Sequence, residues 1–197
     1  MKKINVESKS FSYPVFIGSH VLQFLPELLK KHKLNKNVFI IIDENVEKIY
    51  GKEIDRLVNS WENRSSKFIL KATERSKSIS TIKKIYTALA DNEFGRDTLL
   101  ISVGGGITGD VAGYCAATYM RGIQLVHVPT TLLASVDSSI GGKTGINFYN
   151  RKNFIGSFYQ PQLVIIDANF FQTLPAAEIN SGAGETIKYA LTTAISI

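Results

Sequence analysis

The 197-residue sequence predicts a doubly wound α/β fold with a mostly parallel sheet. Short apolar runs, such as residues 38–42 and 98–103, are typical of strands that are buried on both faces of a parallel sheet. Helical patterns separate these runs, and a glycine-rich turn follows the strand at residues 98–103. Together these three observations favour alternating strands and helices around one central sheet.

Each predicted element follows from a local pattern. Residues 21–31 place four leucines on one face of a helix. Strands are expected at residues 11–17, 38–42, 67–70, 98–103, 124–128 and 163–166. Helices are expected at residues 21–31, 46–61, 78–90 and 111–120, and a further helical stretch opens at Pro175. Because this last stretch has no stop signal, we expect an α/β domain at 1–174 and the start of a helical second domain at 175–197, with the chain continuing in a longer protein.

Composition argues against several functional classes. The chain has 23 Lys and Arg against 17 Asp and Glu, and residues 1–77 hold 15 of the former and 9 of the latter. These basic residues are scattered without interleaved aromatic side chains, so no nucleic-acid partner is expected. No apolar run is long enough for a membrane span, and the charged N-terminus is unlike a secretory signal. A single cysteine, Cys115, fits a cytoplasmic location.

The glycine-rich turn is the first candidate site. Residues 104–109, Gly-Gly-Gly-Ile-Thr-Gly, match the pattern G-x-G-x-x-G, which lets a backbone approach a pyrophosphate at a helix N-terminus. The acidic residue that usually follows about 20 positions later is absent. Asp43 is a candidate replacement, because it ends a predicted strand and ligands of open α/β sheets bind there. The alternatives are a tight turn that requires glycine, and a helix cap at Asp43.

Residues 98–150 contain only four charged side chains, which are Asp110, Arg121, Asp137 and Lys143. A segment that avoids charge is expected to be buried, so these charges need a ligand or one another as ion-pair partners. Lys143 follows two glycines, and we expect it to face a phosphate or carboxylate rather than to pair with Asp137. Lys152 and Asn153 extend this polar region and suit a polyol.

Glu185 and Lys188 are three residues apart, so both lie on one face of the predicted last helix. The small residues 181–184 before them leave room for another element or a metal ion. Glu185 is therefore a candidate metal ligand, and the alternative is a surface ion pair with Lys188. The three histidines are not spaced as a metal-binding pair, and His127 is expected to be a core residue.

Five motifs together resemble the 3-dehydroquinate synthase family. They are GGGITGDVAG at residues 104–113, ATYMRG at 117–122, PTTLL at 129–133, VDSSIGGKTG at 136–145 and KNFIG at 152–156. The resemblance is specific from residue 104 to residue 167 and looser before residue 98. It implies a Rossmann-like domain of an NAD- and metal-dependent phosphorus–oxygen lyase of the shikimate pathway.

Such enzymes convert 3-deoxy-D-arabino-heptulosonate 7-phosphate to 3-dehydroquinate and phosphate. The family's reaction proceeds by transient oxidation of the C5 hydroxyl, phosphate elimination, re-reduction and intramolecular aldol closure. A redox cofactor serves this redox-neutral reaction because the transient ketone acidifies the neighbouring C–H bond. The resemblance also implies a homodimer and a sugar-phosphate substrate.

The resemblance further implies roles for individual residues. Those implied to contact NAD are Asp43, Asn45, Glu74, Lys77, Gly105, Gly106, Ile107, Thr108, Gly109, Asp110, Thr130, Thr131, Asp137, Lys143, Lys152, Phe170 and Thr173. Those implied to act on the substrate are Arg121, Asp137, Lys143, Asn153 and Lys188. Arg121 is implied to reach the site of a neighbouring subunit. Glu185 is implied as the ligand of zinc or cobalt, whose other ligands lie outside this chain.

The chain also departs from the family pattern. Thr73 stands where the family commonly has glycine, Gly184 where alanine is usual, and the arginine often found just before Glu178 is missing. The family's helical second half is absent, so this chain alone is expected to be inactive. Two alternatives remain at this point: a sister sugar-phosphate cyclase that makes an inosose or valiolone, and a dinucleotide-binding module without catalysis.

Overall fold

The computed structural model describes residues 1–7, 11–61 and 64–194, and its centre is a seven-stranded sheet. The strands of the sheet are β1 (Lys2–Glu7), β2 (Ser12–Gly18), β3 (Asn37–Asp43), β4 (Arg64–Leu70), β5 (Thr98–Gly104), β6 (Gln124–Pro129) and β9 (Leu163–Asp167). Their order is β1-β2-β9-β6-β5-β3-β4, and all pairs are parallel except β1 with β2. The predicted mostly parallel sheet is confirmed.

Helices cover both faces of the sheet. They are α1 (Leu25–Lys31), α2 (Glu44–Asn59), α3 (Ile79–Asp91) and α4 (Gly106–Thr118), and α5 (Ala176–Ala194) follows the sheet. Ile40 and Ile42 of β3 join one apolar cluster with α1 and α2, whereas Phe39 and Ile41 join a second cluster with α3 and α4. Because alternate side chains of a strand point to opposite faces, this division is the doubly wound arrangement that the sequence predicts.

Two helix starts differ from the prediction. The helix expected at residues 46–61 begins at Glu44, because the Asp43 carboxylate accepts hydrogen bonds from the backbone N–H groups of Asn45 and Val46. The helix expected at residues 111–120 begins at Gly106, inside the glycine-rich turn. The turn therefore supplies the first helical turn of α4 rather than a separate loop before it.

The sequence analysis missed β1 and a second, two-stranded sheet. This hairpin consists of β7 (Lys143–Phe148) and β8 (Arg151–Phe158), in a region where only polar candidate residues were expected. The hairpin packs against α4 at Gly113, where an added Cβ atom would lie 2.3 Å from the Thr144 side chain. Glycine at this position thus allows the close approach of helix and hairpin.

Helix α5 is mostly exposed and contacts the sheet domain around Gly182, which is buried against Leu132. The apolar side chains of Ile187 and Leu191 lie in solvent. The proposed boundary between residues 174 and 175 stays a prediction. Among the described residues, no helix is long and apolar enough to cross a lipid bilayer.

Candidate functional site

A cleft of about 580 Å³ lies at the carboxyl edge of the sheet, where β3, β5 and β6 end. Its floor and walls are Asp43, Asn45, Val46, Ile49, Tyr50, Ala72, Gly105, Gly106, Ile107, Thr130, Thr131, Leu133, Phe170, Thr173, Leu174, Pro175 and Glu178. Nine residues that the sequence analysis assigned to a cofactor meet in this cleft: Asp43, Asn45, Gly105, Gly106, Ile107, Thr130, Thr131, Phe170 and Thr173.

The glycine turn at the cleft has the properties of an anion site. Gly105 caps α4 and offers no side-chain acceptor to the first backbone N–H groups of the helix. A Cβ atom on Gly105 would lie 3.1 Å from Thr131, and one on Gly106 would lie 3.0 Å from the Ser138 hydroxyl. A larger residue at either position would require Thr131 or Ser138 to shift, while the other side of the turn lines the cleft. Free N–H groups and the helix dipole favour a negatively charged group there.

Asp43 acts as a helix cap and also lines the cleft. Both of its hydrogen bonds to α2, from the N–H groups of Asn45 at 2.7 Å and Val46 at 3.3 Å, go to Oδ1. The prediction that Asp43 caps α2 is thus confirmed. This role leaves Asp43 able to contact a ligand as well. Oδ2 takes part in neither bond and is an acceptor suited to a hydroxyl group.

A second group of predicted residues meets beside the glycine turn. Lys77 is 4% exposed, and its Nζ donates to Asp110 at 2.5 Å and also to Asn153. Burial raises the pKa of Asp110, and the Lys77 ammonium opposes that rise. Asn147 donates to the Glu74 carboxylate at 2.7 Å and accepts from the Asn153 backbone at 2.8 Å. This lysine, carboxylate and amide network joins the loop before α3, helix α4 and the hairpin.

The alternative that the four charges of residues 98–150 pair with one another is wrong. Asp110 pairs with Lys77, which lies outside that segment, while Arg121, Asp137 and Lys143 are exposed. Arg121 lies in the turn after α4, Asp137 in the short helical segment 134–138 and Lys143 at the start of β7, and their exposure to solvent removes the need for an ion-pair partner within the segment. Among the described residues, Lys143 and Asp137 form no ion pair with each other.

Several further residues that the sequence analysis assigned to the cofactor or the substrate lie outside the cleft wall. Thr108 is buried beneath the turn, and a Cβ atom on Gly109 would contact the His127 ring. Lys152 is exposed on the hairpin. Arg121 is exposed in a turn where it and Met120 both adopt positive φ angles, of 67° and 50°. Such angles are uncommon for residues other than glycine, so the neighbouring structure must hold this turn.

His127 is a core residue, as the sequence predicts. It is buried in β6, and this burial lowers its pKa to about 4. The imidazole is therefore neutral at physiological pH, and it lies close enough to the glycine turn that a Cβ atom on Gly109 would be 3.8 Å from its ring.

On α5, Glu185 pairs with Lys188, as the ion-pair alternative expects. The neighbouring Tyr189 hydroxyl donates to Asp137 at 2.8 Å, and this bond raises the pKa of Tyr189 to about 12. The described residues contain no group of three His, Cys, Asp or Glu side chains that fits a metal ion. Within this part of the chain, Glu185 is a single acidic group and not a complete metal site.

The apolar walls of the cleft were not identified from the sequence. Val46, Ile49 and Tyr50 lie on one face of α2, and the Tyr50 ring meets the Phe170 ring at a centroid distance of 4.8 Å. The i, i+3, i+4 spacing of the three α2 residues is a signal that the sequence did contain. Glu178, at the start of α5, adds a carboxylate to the cleft.

The family model for the 3-dehydroquinate synthase N-terminal domain matches residues 67–181. The 3-dehydroquinate synthase of Alkaliphilus oremlandii is 42% identical over 97% of this chain and 52% of its own length. That of Clostridium acetobutylicum is 39% identical over 96% of this chain and 53% of its own length. The chain thus spans about half the length of these curated relatives.

Solved structures show the same architecture. A 2-deoxy-scyllo-inosose synthase complexed with carbaglucose-6-phosphate, NAD⁺ and Co²⁺ is 26% identical, with a TM-score of 0.88 over 95% of this chain and 50% of that protein. The 2-epi-5-epi-valiolone synthase of Streptomyces hygroscopicus, with NAD⁺ and Zn²⁺ bound, is 28% identical, with a TM-score of 0.79 over 91% of this chain and 49% of that protein. Since the family model matches more than half of its residues, the chain belongs to the 3-dehydroquinate synthase N-terminal family.

Proposed function

We propose that this chain is the NAD-binding half of a 3-dehydroquinate synthase. The full enzyme would convert 3-deoxy-D-arabino-heptulosonate 7-phosphate to 3-dehydroquinate and phosphate, and bound NAD⁺ would supply reversible hydride transfer. The observation that carries the proposal is the cleft in which the uncapped N-terminus of α4 meets Asp43. The curated relatives named above, near 40% identity, support the same activity.

The cleft residues fit a dinucleotide. The backbone N–H groups of Gly106 and Ile107, at the start of α4, would donate to the pyrophosphate. Asp43 Oδ2 would accept a hydrogen bond from a ribose hydroxyl, and Asn45 lies beside it in the cleft. The apolar surface of Tyr50 and Phe170 would exclude water from the adenosine end. Because Gly105 has no side chain, its backbone can approach the pyrophosphate without pressing against Thr131.

The substrate would meet the polar residues around the hairpin. Lys143 would bind a carboxylate or hydroxyl of the sugar phosphate, and Asn153 would bind a hydroxyl beside the Lys77–Asp110 pair. Asp137 and Lys188 would complete the side of the site that faces α5. Arg121 would bind the phosphate group in the site of a second subunit of a homodimer, which its exposure permits.

A divalent metal does not fit the described residues alone, because they supply no cluster of three ligands. We propose that Glu185 contributes one ligand, and that the remaining ligands belong to the second half that the relatives possess. A metal ion bound at Glu185 would have to displace the Lys188 ammonium that pairs with this carboxylate. We further propose a cytoplasmic location.

The test uses the full-length protein that carries this chain. Phosphate release from 3-deoxy-D-arabino-heptulosonate 7-phosphate should require NAD⁺, and Lys143→Ala should abolish it without unfolding the protein. Glucose 6-phosphate is the control substrate, because the structurally similar inosose synthase binds carbaglucose-6-phosphate. Turnover of glucose 6-phosphate alone would contradict the proposal and favour a sister cyclase. NAD⁺ binding without turnover of either substrate would favour a binding module.

A further inference from the structure

The turn before Lys143 is unusual in its backbone. Gly141 and Gly142 both have positive φ angles, of 89° and 70°, so this stretch is built from the residue type with the greatest conformational freedom. Lys143 is the first residue of β7 and pairs with Phe158 of β8, so the hairpin holds it on its C-terminal side. On its N-terminal side, contacts from other parts of the molecule must hold the two glycines.

Three hydrogen bonds anchor this turn. The Gly141 N–H donates to the Tyr13 hydroxyl oxygen at 3.1 Å, across 128 residues of sequence. The Gln160 side-chain amide donates to the Gly141 carbonyl at 2.9 Å. The Tyr159 N–H donates to the Gly142 carbonyl at 2.7 Å. The turn is thus held from β2 on one side and from the segment after β8 on the other.

Tyr13 has a hydroxyl group that packing alone does not require. Its ring is 2% exposed and lies in a small cluster with Val15, Val164 and Ile166, all of which are apolar. Phenylalanine would fill the same space without placing a polar atom in the interior. Burial raises the pKa of Tyr13, so the hydroxyl stays neutral over the working pH range and its oxygen stays a hydrogen-bond acceptor.

We infer that Tyr13 is a positioning residue for Lys143. Its hydroxyl fixes the Gly141–Gly142 turn, and the fixed turn presents the Lys143 ammonium to the substrate at low entropic cost. Tyr13 itself contacts neither substrate nor cofactor in this arrangement. The inference rests on the role of Lys143 in the proposed function and adds the residue that keeps Lys143 in place.

The test measures the affinity of the full-length protein, freed of NAD⁺ to prevent turnover, for 3-deoxy-D-arabino-heptulosonate 7-phosphate. Four forms are compared: the unchanged protein, Tyr13→Phe, Lys143→Ala and the double variant. We expect Tyr13→Phe to weaken binding about tenfold, or about 1.4 kcal/mol. In the Lys143→Ala background, Tyr13→Phe should change the affinity less than twofold, since a residue that acts through Lys143 has no effect without it.

Two outcomes would overturn the inference. The first is an affinity that Tyr13→Phe leaves unchanged, and the second is an equal weakening of binding with and without Lys143. If Lys143→Ala alone has no effect, the proposed role of Lys143 is wrong, and this result is distinct from a failure of Tyr13. Gln160→Ala, which releases the turn from the other side, should repeat the Lys143-dependent loss. Tyr86→Phe removes a tyrosine hydroxyl on α3, far from the turn, and should leave the affinity unchanged.

Discussion

The cleft and the exposed face of α5 differ in how completely this chain builds them. Most of the cleft's walls come from strand ends, from α2 and from the start of α4, which pack on the buried sheet, and Glu178 at the start of α5 adds to one side. On α5, by contrast, Ile187 is 60% exposed and Leu191 is 61% exposed, and Glu185 forms an ion pair with Lys188 of the same helix. We therefore expect the candidate cofactor site to be built by this chain, and the candidate metal site to need ligands from elsewhere.

This difference has a physical cause. Parallel strands gather their carboxyl ends at one edge, so a site made of strand ends forms whenever the sheet forms. A site on a single helix needs a partner surface, because one helix face cannot surround a ligand. The cleft should therefore behave as a rigid, self-contained unit, and α5 should behave as one half of an interface. The predictions below test this contrast, beginning with the largest expected effect.

The largest effect should be on catalysis. The 197-residue chain alone should release no phosphate from 3-deoxy-D-arabino-heptulosonate 7-phosphate and should hold no stoichiometric zinc, because Glu185 is one ligand where about three are needed. In the full-length protein, Glu185→Gln should lower zinc affinity and turnover together, by at least about 100-fold. Metal analysis and a phosphate assay measure both quantities. A tightly held zinc in the 197-residue chain would contradict the contrast between the two regions.

The next largest effect should be a pH dependence of stability that arises from a buried histidine beneath the cleft. Burial lowers the pKa of His127 from 6.5 to about 4, so the unfolded chain binds a proton that the folded chain excludes. Stability should be complete above pH 6.5 and should fall as the pH drops from 6.5 to 4, by up to about 3 kcal/mol. Urea unfolding of the chain across this range should show the loss, and His127→Gln should lack it.

His20→Gln is the matched control for this experiment, because His20 is exposed. The stability of the His20→Gln variant should fall as the pH is lowered, in parallel with that of the unchanged chain. An equally steep pH dependence in His127→Gln would show that other groups cause the loss.

A pair of glycines compares the two regions directly. Gly113→Ala would place a Cβ atom 2.3 Å from the Thr144 side chain and push the hairpin away from α4, at a cost of about 1–3 kcal/mol. Gly184→Ala on α5 meets no atom within 4 Å and should stabilise the chain by about 0.5–1 kcal/mol through helix propensity. Urea unfolding measures both changes. Equal effects at the two sites would mean that α5 is packed as tightly as α4.

The smallest effect concerns Asp43 as a helix cap. Asp43→Ala should lower stability by about 1 kcal/mol, because the N–H groups of Asn45 and Val46 lose their acceptor. Asp43→Asn is the matched control, since asparagine also caps helices and should retain this stability. Both variants should bind NAD⁺ about tenfold more weakly. An unchanged NAD⁺ affinity would leave Asp43 with the capping role alone.

Much of the sheet could be predicted from the sequence because its strands are continuous apolar runs. Residues 38–42 and 98–103 are buried on both faces and carry no competing pattern. The hairpin was missed because most of β8 is exposed, so its residues do not alternate between apolar and polar. Its position depends instead on Gly113, whose role becomes visible only when the helix and the hairpin are seen together.

The motifs of the candidate site could be predicted from the sequence, but the ion pairs and hydrogen bonds between distant residues could not. The glycine turn and Asp43 could be placed at one edge because both follow strands. The Lys77–Asp110 pair could not, since its members are 33 residues apart and one lies in an irregular loop. The contact between Tyr13 and Gly141 spans 128 residues, and no local pattern indicates it.

The most direct test of the central claim is an NAD⁺ titration of the 197-residue chain by calorimetry. A cleft that is complete within this chain should bind one NAD⁺ per chain, weakly, in the range of about 0.1–1 mM. Asp43→Ala should reduce that affinity, whereas Glu185→Gln on α5 should leave it unchanged. No heat and no shift in melting temperature at millimolar NAD⁺ would contradict the claim that this chain builds the cofactor site by itself.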